Sequence, residues 1–357
     1  MATMQRAQAV ALAAVLWLAA GLFGSVPAIA QFSYVVPGDG RPLIIFLHGL
    51  GGSGGTSFRV AGSSKSWPEL MRDDADRVRG ARAMRDYATA TLSFPATCAD
   101  RLTIPQVAAN LIRTLYDDGI WTRHPSIIFI AYSLGGLVLQ ELLTTSQSDR
   151  RYGALVDRTA GVIFLATPAG GSDYAGALTT VLELVPGVDR SCPLVKGLQL
   201  IDSNALLQKL DADWRKFMRT EERIRGRERR LSSACLYETR PVLGVVIVGQ
   251  NASTPVCDER FAMNEDHISI AKPESRSSEV YKRVRGLIAD IDLLAAGKPV
   301  RMGPRTDAPP RPRPPYGLGL RQGLEGRADD DNNGSRTSRQ DAAPRASVFD
   351  TLQRSAP

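Results

Sequence analysis

The sequence predicts an α/β protein with a mainly parallel central sheet, helices on both faces and a helical insertion set as a cap. Three observations predict it. The short apolar runs Leu43–Leu47, Ile127–Ala131, Val162–Ala166 and Val242–Val248 are nearly uninterrupted and bounded by Gly, Pro or polar turn residues. Such runs suit strands buried on both faces. Longer stretches with apolar spacing near 3.6 lie between them, and strand–helix alternation of this kind builds a parallel sheet between helical layers. The third is composition: 43% hydrophobic and 23% charged over 357 residues is the make-up of a globular chain with ample material for a core. Collagen-like repeats, a coiled coil and a wholly disordered chain are excluded. A polytopic membrane protein is excluded too, because one long apolar run exists and it is N-terminal.

That run, Ala7 to Ala30, follows Arg6 and ends Ala28-Ile29-Ala30 before Gln31. A basic start, an apolar stretch and a small-x-small exit read as a signal peptide over 1–30, giving an exported, periplasmic or secreted protein. The competing reading is an uncleaved membrane anchor. Cys98, Cys192, Cys235 and Cys257 follow the cut. An even count in an exported chain permits two disulfides, with three pairings open. No CxxC or Cys/His cluster suggests a metal, and the sequence calls for no cofactor.

Residues 31–297 form the α/β domain. Within it Ile104–Tyr116, Gly135–Thr145 and Glu279–Leu294 carry helical periodicity. The segment 173–230 breaks the alternation; it reads as a helical cap over a site or, equally, as surface helices. Residues 298–357, with Pro309-Pro310-Arg311-Pro312-Arg313-Pro314-Pro315 and an Asp/Asn run, read as a disordered tail. Its Pro/Arg tract is of a kind that docks a protein partner, with a solvated tail the plainer reading. The net charge of +7 comes largely from dispersed arginine. Without a basic block or aromatic interleaving it does not predict nucleic-acid binding, and it hints only weakly at contact with an anionic membrane surface.

The chemistry centres on Ile127-Ile128-Phe129-Ile130-Ala131-Tyr132-Ser133-Leu134-Gly135-Gly136. A buried strand runs into a serine flanked by small residues two before and two after, and a helix starts at once. This is the pattern of a nucleophile elbow, with Ala131 where a glycine is usual. Upstream, the Leu43–Leu47 strand ends in His48-Gly49-Leu50-Gly51-Gly52. In an elbow enzyme such a loop supplies one oxyanion donor and the residue after the nucleophile the other, here the amides of Leu50 and Leu134. His48, Gly49 and Gly51 are the supporting loop. No Walker or G-x-G-x-x-G pattern accompanies these glycines, which disfavours nucleotide binding. Of three histidines, His48 sits in the glycine loop and His124 precedes the nucleophile strand, leaving His267 as the base. The orienting acid is Glu238, at the end of a penultimate strand, with Asp258 and Asp266 as alternatives; Asp266 adjoins His267, and sequence neighbours rarely pair well.

Together these pieces resemble the α/β-hydrolase superfamily and, within it, the serine-esterase group of SERAC- and PGAP-type lipid hydrolases. The matching pieces are Phe46 to Gly52, Ala131 to Gly136, Gly161 to Pro168 with Gly171-Ser172, Tyr237-Glu238-Thr239 and Asp266-His267, over about residues 41–290. Thr167-Pro168-Ala169 departs from the group, where His is expected after the proline. The resemblance implies an α/β-hydrolase fold, hydrolysis of small-molecule or lipid-like acyl esters through an acyl-enzyme, and the acid at Glu238. Acyl transfer or thioester hydrolysis on the same residues, and a hydrolase fold kept as a binding module, are the alternatives.

Overall fold

A computed structural model describes residues 30–99, 101–169, 180, 182–185, 189–196, 198–199, 204–225, 231–250, 252 and 257–298. The expected signal peptide, Ala30 apart, and the expected tail, Lys298 apart, lie outside the described residues. The strands are β1 (Gln31–Val36), β2 (Leu43–Leu47), β3 (Ala88–Ser93), β4 (Ile127–Tyr132), β5 (Thr159–Leu165), β6 (Ser232–Glu238) and β7 (Glu259–Met263). They form one sheet in the order β1-β3-β2-β4-β5-β6-β7. Only β1 pairs antiparallel; every other pairing is parallel.

The helices are α1 (Trp67–Arg72), α2 (Ile104–Asp117), α3 (Ile120–Arg123), α4 (Leu134–Ser148), α5 (Gly153–Arg158), α6 (Pro193–Lys196), α7 (Ala205–Arg225) and α8 (Glu279–Ala295). Strand side chains alternate between two cores, as a period of two requires. Leu43, Ile45, Leu47, Phe129 and Phe164 meet α2, α4 and α7 on one face. Ile44, Phe46, Ile130, Ile163 and Leu236 meet α1 and α8 on the other. Because both faces are covered, the central strands are apolar throughout; β2 has no exposed position. Helix starts are encoded locally: Thr103 and Gln106 form a capping box at α2, with Pro105 in its first turn.

Two differences from the sequence reading stand out. Val242–Val248 is not a strand: Val242 and Val245 exchange both backbone hydrogen bonds at 2.9 Å across Leu243-Gly244, whose φ values are 50° and 81°. Two positive φ values in a two-residue loop make a tight turn, and the run folds back on itself. The sheet instead continues through β7, whose Glu259-Arg260-Phe261-Ala262-Met263 is too polar to announce a strand. Within the segment 173–230, read as a cap or as surface helices, α7 packs into the core on the α2 and α4 face of the sheet. Its Trp214 stacks on Phe217 at 5.0 Å and meets Phe164 of β5 edge-on at 5.7 Å. The stretch 170–179 lies outside the described residues. Val185, further along, rests against Gly51 of the glycine loop.

The four cysteines pair as Cys98–Cys192 and Cys235–Cys257. The first ties the loop after β3 to the segment before α6. The second staples β6 to the approach to β7.

Candidate active site

Ser133 sits between β4 and α4 with φ 51° and ψ −125°. A non-glycine residue in that region is strained, and the strain lifts its side chain off the strand line. Its N–H donates to Leu165 O on β5 at 2.9 Å, and the Gly136 N–H donates to the Ser133 carbonyl at 3.0 Å. The small neighbours are sterically required. A Cβ on Gly135 would stand 2.3 Å from the His48 carbonyl oxygen, and one on Gly136 would meet Thr167 Oγ1 at 2.0 Å. Ala131 is fully buried between Leu47 and Phe164 on the neighbouring strands, and its single methyl fits there.

His267 follows β7, and its Nε2 lies 3.1 Å from Ser133 Oγ. Its Nδ1 lies 2.7 Å from Glu238 Oε2. The neutral tautomer with the proton on Nδ1 satisfies both contacts: Nδ1–H donates to the carboxylate and Nε2 accepts from the serine hydroxyl. Glu238 ends β6 and is 1% exposed. Its other oxygen, Oε1, accepts the Ile247 N–H at 2.6 Å and the Val248 N–H at 2.9 Å. A buried carboxylate needs such donors to remain charged. The apolar run that reads as a strand in the sequence thus anchors the Glu238 carboxylate instead.

The alternative acids stand elsewhere. Asp258 Oδ2 accepts the backbone N–H and hydroxyl of Ser233, near the opposite end of β6 from Glu238. Asp266 Oδ1 accepts the N–H groups of Ile268 and Ser269 and shapes the loop that carries His267.

The glycine loop lies directly against Ser133. A Cβ on Gly49 would come 2.9 Å from Ser133 Cβ. Gly51, at φ 64°, donates its N–H to Ala96 O at 2.8 Å. Leu134 opens α4, so its N–H has no intrahelical acceptor. Among the described residues the Leu50 N–H also has none. His48 is fully buried and stacked on Phe94 at 4.3 Å. Its Nε2 accepts the Phe94 N–H at 3.1 Å and its Nδ1–H donates to Gly49 O at 2.9 Å. Burial drives its pKa down to about 4, so it stays neutral and acts as a brace. His124 is also buried, bonded to Tyr34 and to Arg41 O, and stands outside this cluster.

One residue escapes the sequence reading. Tyr132 donates its hydroxyl to the His267 carbonyl at 2.9 Å, with its ring 5.3 Å from the imidazole. Its place directly before the elbow serine is the signal that could have found it.

The strand order, the elbow after β4 and the serine–histidine–carboxylate chain at the C-terminal edge of the sheet define an α/β-hydrolase fold. In sequence the chain is similar to Protein SERAC1. It is 21% identical to the Homo sapiens protein over 267 residues, 69% of this chain and 38% of that one. With the Danio rerio protein it shares 25% over 183 residues, 51% and 26% of the two chains. It therefore spans less than two fifths of the length of the curated relatives it matches. Among solved structures, the mature lipase BlEst2 of Bacillus licheniformis superposes with TM-score 0.45 and 18% identity, over 69% of this chain and 93% of that one. Phospholipase PlaB of Legionella pneumophila does so with TM-score 0.40 and 15% identity, over 56% and 39%. No family model matches the chain.

Proposed function

We propose that this chain is an exported serine hydrolase of carboxylic esters, acting on lipid-like acyl esters through an acyl-enzyme. One observation carries the reading: Ser133, His267 and Glu238 form a hydrogen-bonded chain at 3.1 Å and 2.7 Å, with the serine on a strained elbow. In the acylation step His267 Nε2 takes the hydroxyl proton as Ser133 Oγ attacks the ester carbonyl. Glu238 holds the resulting imidazolium, and the Leu50 and Leu134 amides receive the oxyanion. The protonated Nε2 then gives its proton to the departing alcohol. Water, deprotonated by the same nitrogen, releases the acid and restores Ser133. Export rests on the leader read at 1–30.

Labelling of the purified protein with a fluorophosphonate, mapped by peptide mass spectrometry, tests the reading. A stoichiometric adduct on Ser133 is expected. Ser133→Ala should lose both the adduct and at least ~10³-fold in ester turnover while remaining folded. Turnover surviving that change would overturn the mechanism.

A further inference from the structure

The Leu50 amide, to which the proposed reaction assigns the oxyanion, lies in the run His48-Gly49-Leu50-Gly51-Gly52. Glycines leave such a loop many backbone states, whereas an oxyanion donor works only when it is held in one of them. Contacts on both sides of Leu50 hold it. Before it, Gly49 stands against Ser133. After it, the Gly51 N–H donates to Ala96 O at 2.8 Å, and the isopropyl group of Val185 fills the space that a side chain at 51 would need.

Val185 reaches this loop across the C-terminal edge of the sheet. Leu182 and Val185 pack on the core of the α2 and α4 face, whereas Leu184 packs on the core of the α1 and α8 face. The sheet separates those cores, so residues 182–185 touch both by passing around its edge. Contact with Gly51, beyond the end of β2, fixes which edge. Further along the same segment Cys192 is bonded to Cys98. Cys98 belongs to the loop after β3, which binds the glycine loop twice: the Phe94 N–H donates to His48 Nε2 at 3.1 Å, and Ala96 O accepts from Gly51. The contacts thus close on themselves, from Gly51 to Ala96, from Cys98 to Cys192, and from Val185 back to Gly51.

We propose that Val185 and the Cys98–Cys192 disulfide are positioning elements for the oxyanion hole, a clamp that keeps the Leu50 amide aimed at the transition state. The inference rests on the hydrolase reading. It separates from the relay, because Ser133, His267 and Glu238 are held by their own hydrogen bonds. Losing one oxyanion donor costs about 10²–10³-fold in kcat, and a shift of about 1 Å about 10²-fold. Loosening the clamp should therefore appear in kcat and leave KM and the titration of His267 alone.

The test is steady-state turnover of nitrophenyl acetate, butyrate and octanoate, with urea unfolding of every variant alongside. Val185→Ala should lower kcat by about tenfold or more on all three esters, with KM within about threefold of wild type and the acid limb of the pH profile unmoved. A trifluoromethyl ketone, whose hemiketal with Ser133 carries the oxyanion, should bind this variant more weakly by the factor that kcat loses. Val185→Ile keeps a γ-methyl on Gly51 and should restore kcat. Cys98→Ala with Cys192→Ala should share the Val185→Ala signature, whereas Cys235→Ala with Cys257→Ala should cost stability and leave kcat of the folded protein unchanged. Should the first cysteine pair prove too unstable to assay, Val185→Ala decides alone. A smaller loss of kcat in folded Val185→Ala overturns the clamp, as does a displaced acid limb, which would trace the loss to His267. A change confined to KM that varies with acyl length overturns it too, and makes Val185 a wall of the acyl pocket. Each of these results leaves the hydrolase reading standing; inertness of the wild type toward all three esters together with an unlabelled Ser133 overturns both.

Discussion

Glu238→Gln tests the relay more sharply than any deletion, because the replacement is isosteric and the chemistry it changes can be worked from three distances. Oε1 of Glu238 accepts the Ile247 and Val248 N–H groups at 2.6 and 2.9 Å, and Oε2 takes the His267 Nδ1–H at 2.7 Å. A glutamine has one oxygen to offer. Turned toward the histidine, that oxygen would leave two buried N–H groups without an acceptor and facing an NH₂ group, at about 1–3 kcal/mol each. Turned toward the two amides, it keeps both bonds and presents its NH₂ to Nδ1. The second arrangement wins, and it reverses the histidine. Nδ1 must become the acceptor, the proton moves to Nε2, and Nε2–H faces Ser133 with nothing to accept the serine proton. Loss of the correct tautomer costs about 10³–10⁴-fold in kcat, or about 4–5.5 kcal/mol of transition-state stabilisation. Three charge-assisted bonds become neutral ones, so stability drops by only about 1–3 kcal/mol. The assay pairs kcat/KM on a nitrophenyl ester and the rate of fluorophosphonate labelling with urea unfolding. A folded variant retaining activity within about tenfold of wild type would show that Glu238 does not set the tautomer.

Three further outcomes follow from residues around the site. His48 titrates at about 4 in the fold, against about 6.5 in the unfolded chain. Between those values the unfolded chain holds a proton that the folded one lacks, so stability rises with pH across this window. Acidification from pH 7 to 4 should cost about 3 kcal/mol through this residue, and urea unfolding at the two pH values should show a smaller difference in His48→Asn. The disulfides should differ in worth. Cys98–Cys192 closes a separation of 94 residues and Cys235–Cys257 one of 22, so paired Ala substitutions should cost about 5 and about 3.5 kcal/mol respectively in denaturant unfolding. Leu243 is 63% exposed at φ 50° beside Gly244. Leu243→Asn should stabilise the fold by about 1 kcal/mol, because Asn-Gly suits two consecutive positive φ values. Thermal unfolding should then shift upward with ester turnover unchanged.

What the sequence showed clearly depended on signals that are local. β2, β4 and β5 lie in the covered middle of the sheet, so their residues are apolar on both faces and legible as runs. Edge strands have a polar side: β1 has no fully buried residue and β7 only Met263. Neither stands out from its flanking loops. Val242–Val248 misleads for the opposite reason. It is apolar because Ile247 and Val248 are buried in the core with Ile163 and Leu236, with Val242 and Val245 packed against that core, and Gly244 inside it is the sign of a turn. Ser133 and His267, which the structure brings within 3.1 Å of each other, were singled out by the elbow pattern and by elimination among three histidines. Disulfide pairing was out of reach, because it depends on where β3's following loop meets the approach to α6, a contact between residues 94 apart. The role of Tyr132 was hidden because its partner is a backbone carbonyl, and no residue identity announces one.

The geometry of the site comes from the sheet rather than from its loops, and the backbone hydrogen bonds at the C-terminal edge show how. As β4 ends, the Ser133 N–H reaches Leu165 O on β5 at 2.9 Å; as β5 ends, the Ala166 N–H reaches Leu236 O on β6 at 2.8 Å. As β6 ends, the Thr239 N–H reaches Met263 O on β7 at 3.1 Å. Each strand is thus held one residue past its end by the next, in a staircase from Ser133 to the strand that delivers His267. Ser133 and Ala166, the first residues off β4 and β5, carry φ values of 51° and 44°. Such conformations cost of order 1–3 kcal/mol each and persist only where surrounding structure over-determines them. Here the over-determining structure is a ladder in which β4, β5 and β6 are largely buried, so the strain at Ser133 is borne by neighbouring strands rather than by one turn. The same ladder sets the distance between the ends of β4 and β7, and hence the 3.1 Å between Ser133 and His267. The remaining freedom, the pitch of the His267 loop, is removed by Tyr132, which leaves β4 one residue before the serine and binds that loop's carbonyl. Ser133 and His267 are therefore both tied to a single strand end, which is why a serine on this elbow can be kept in register with a histidine 134 residues away in the chain.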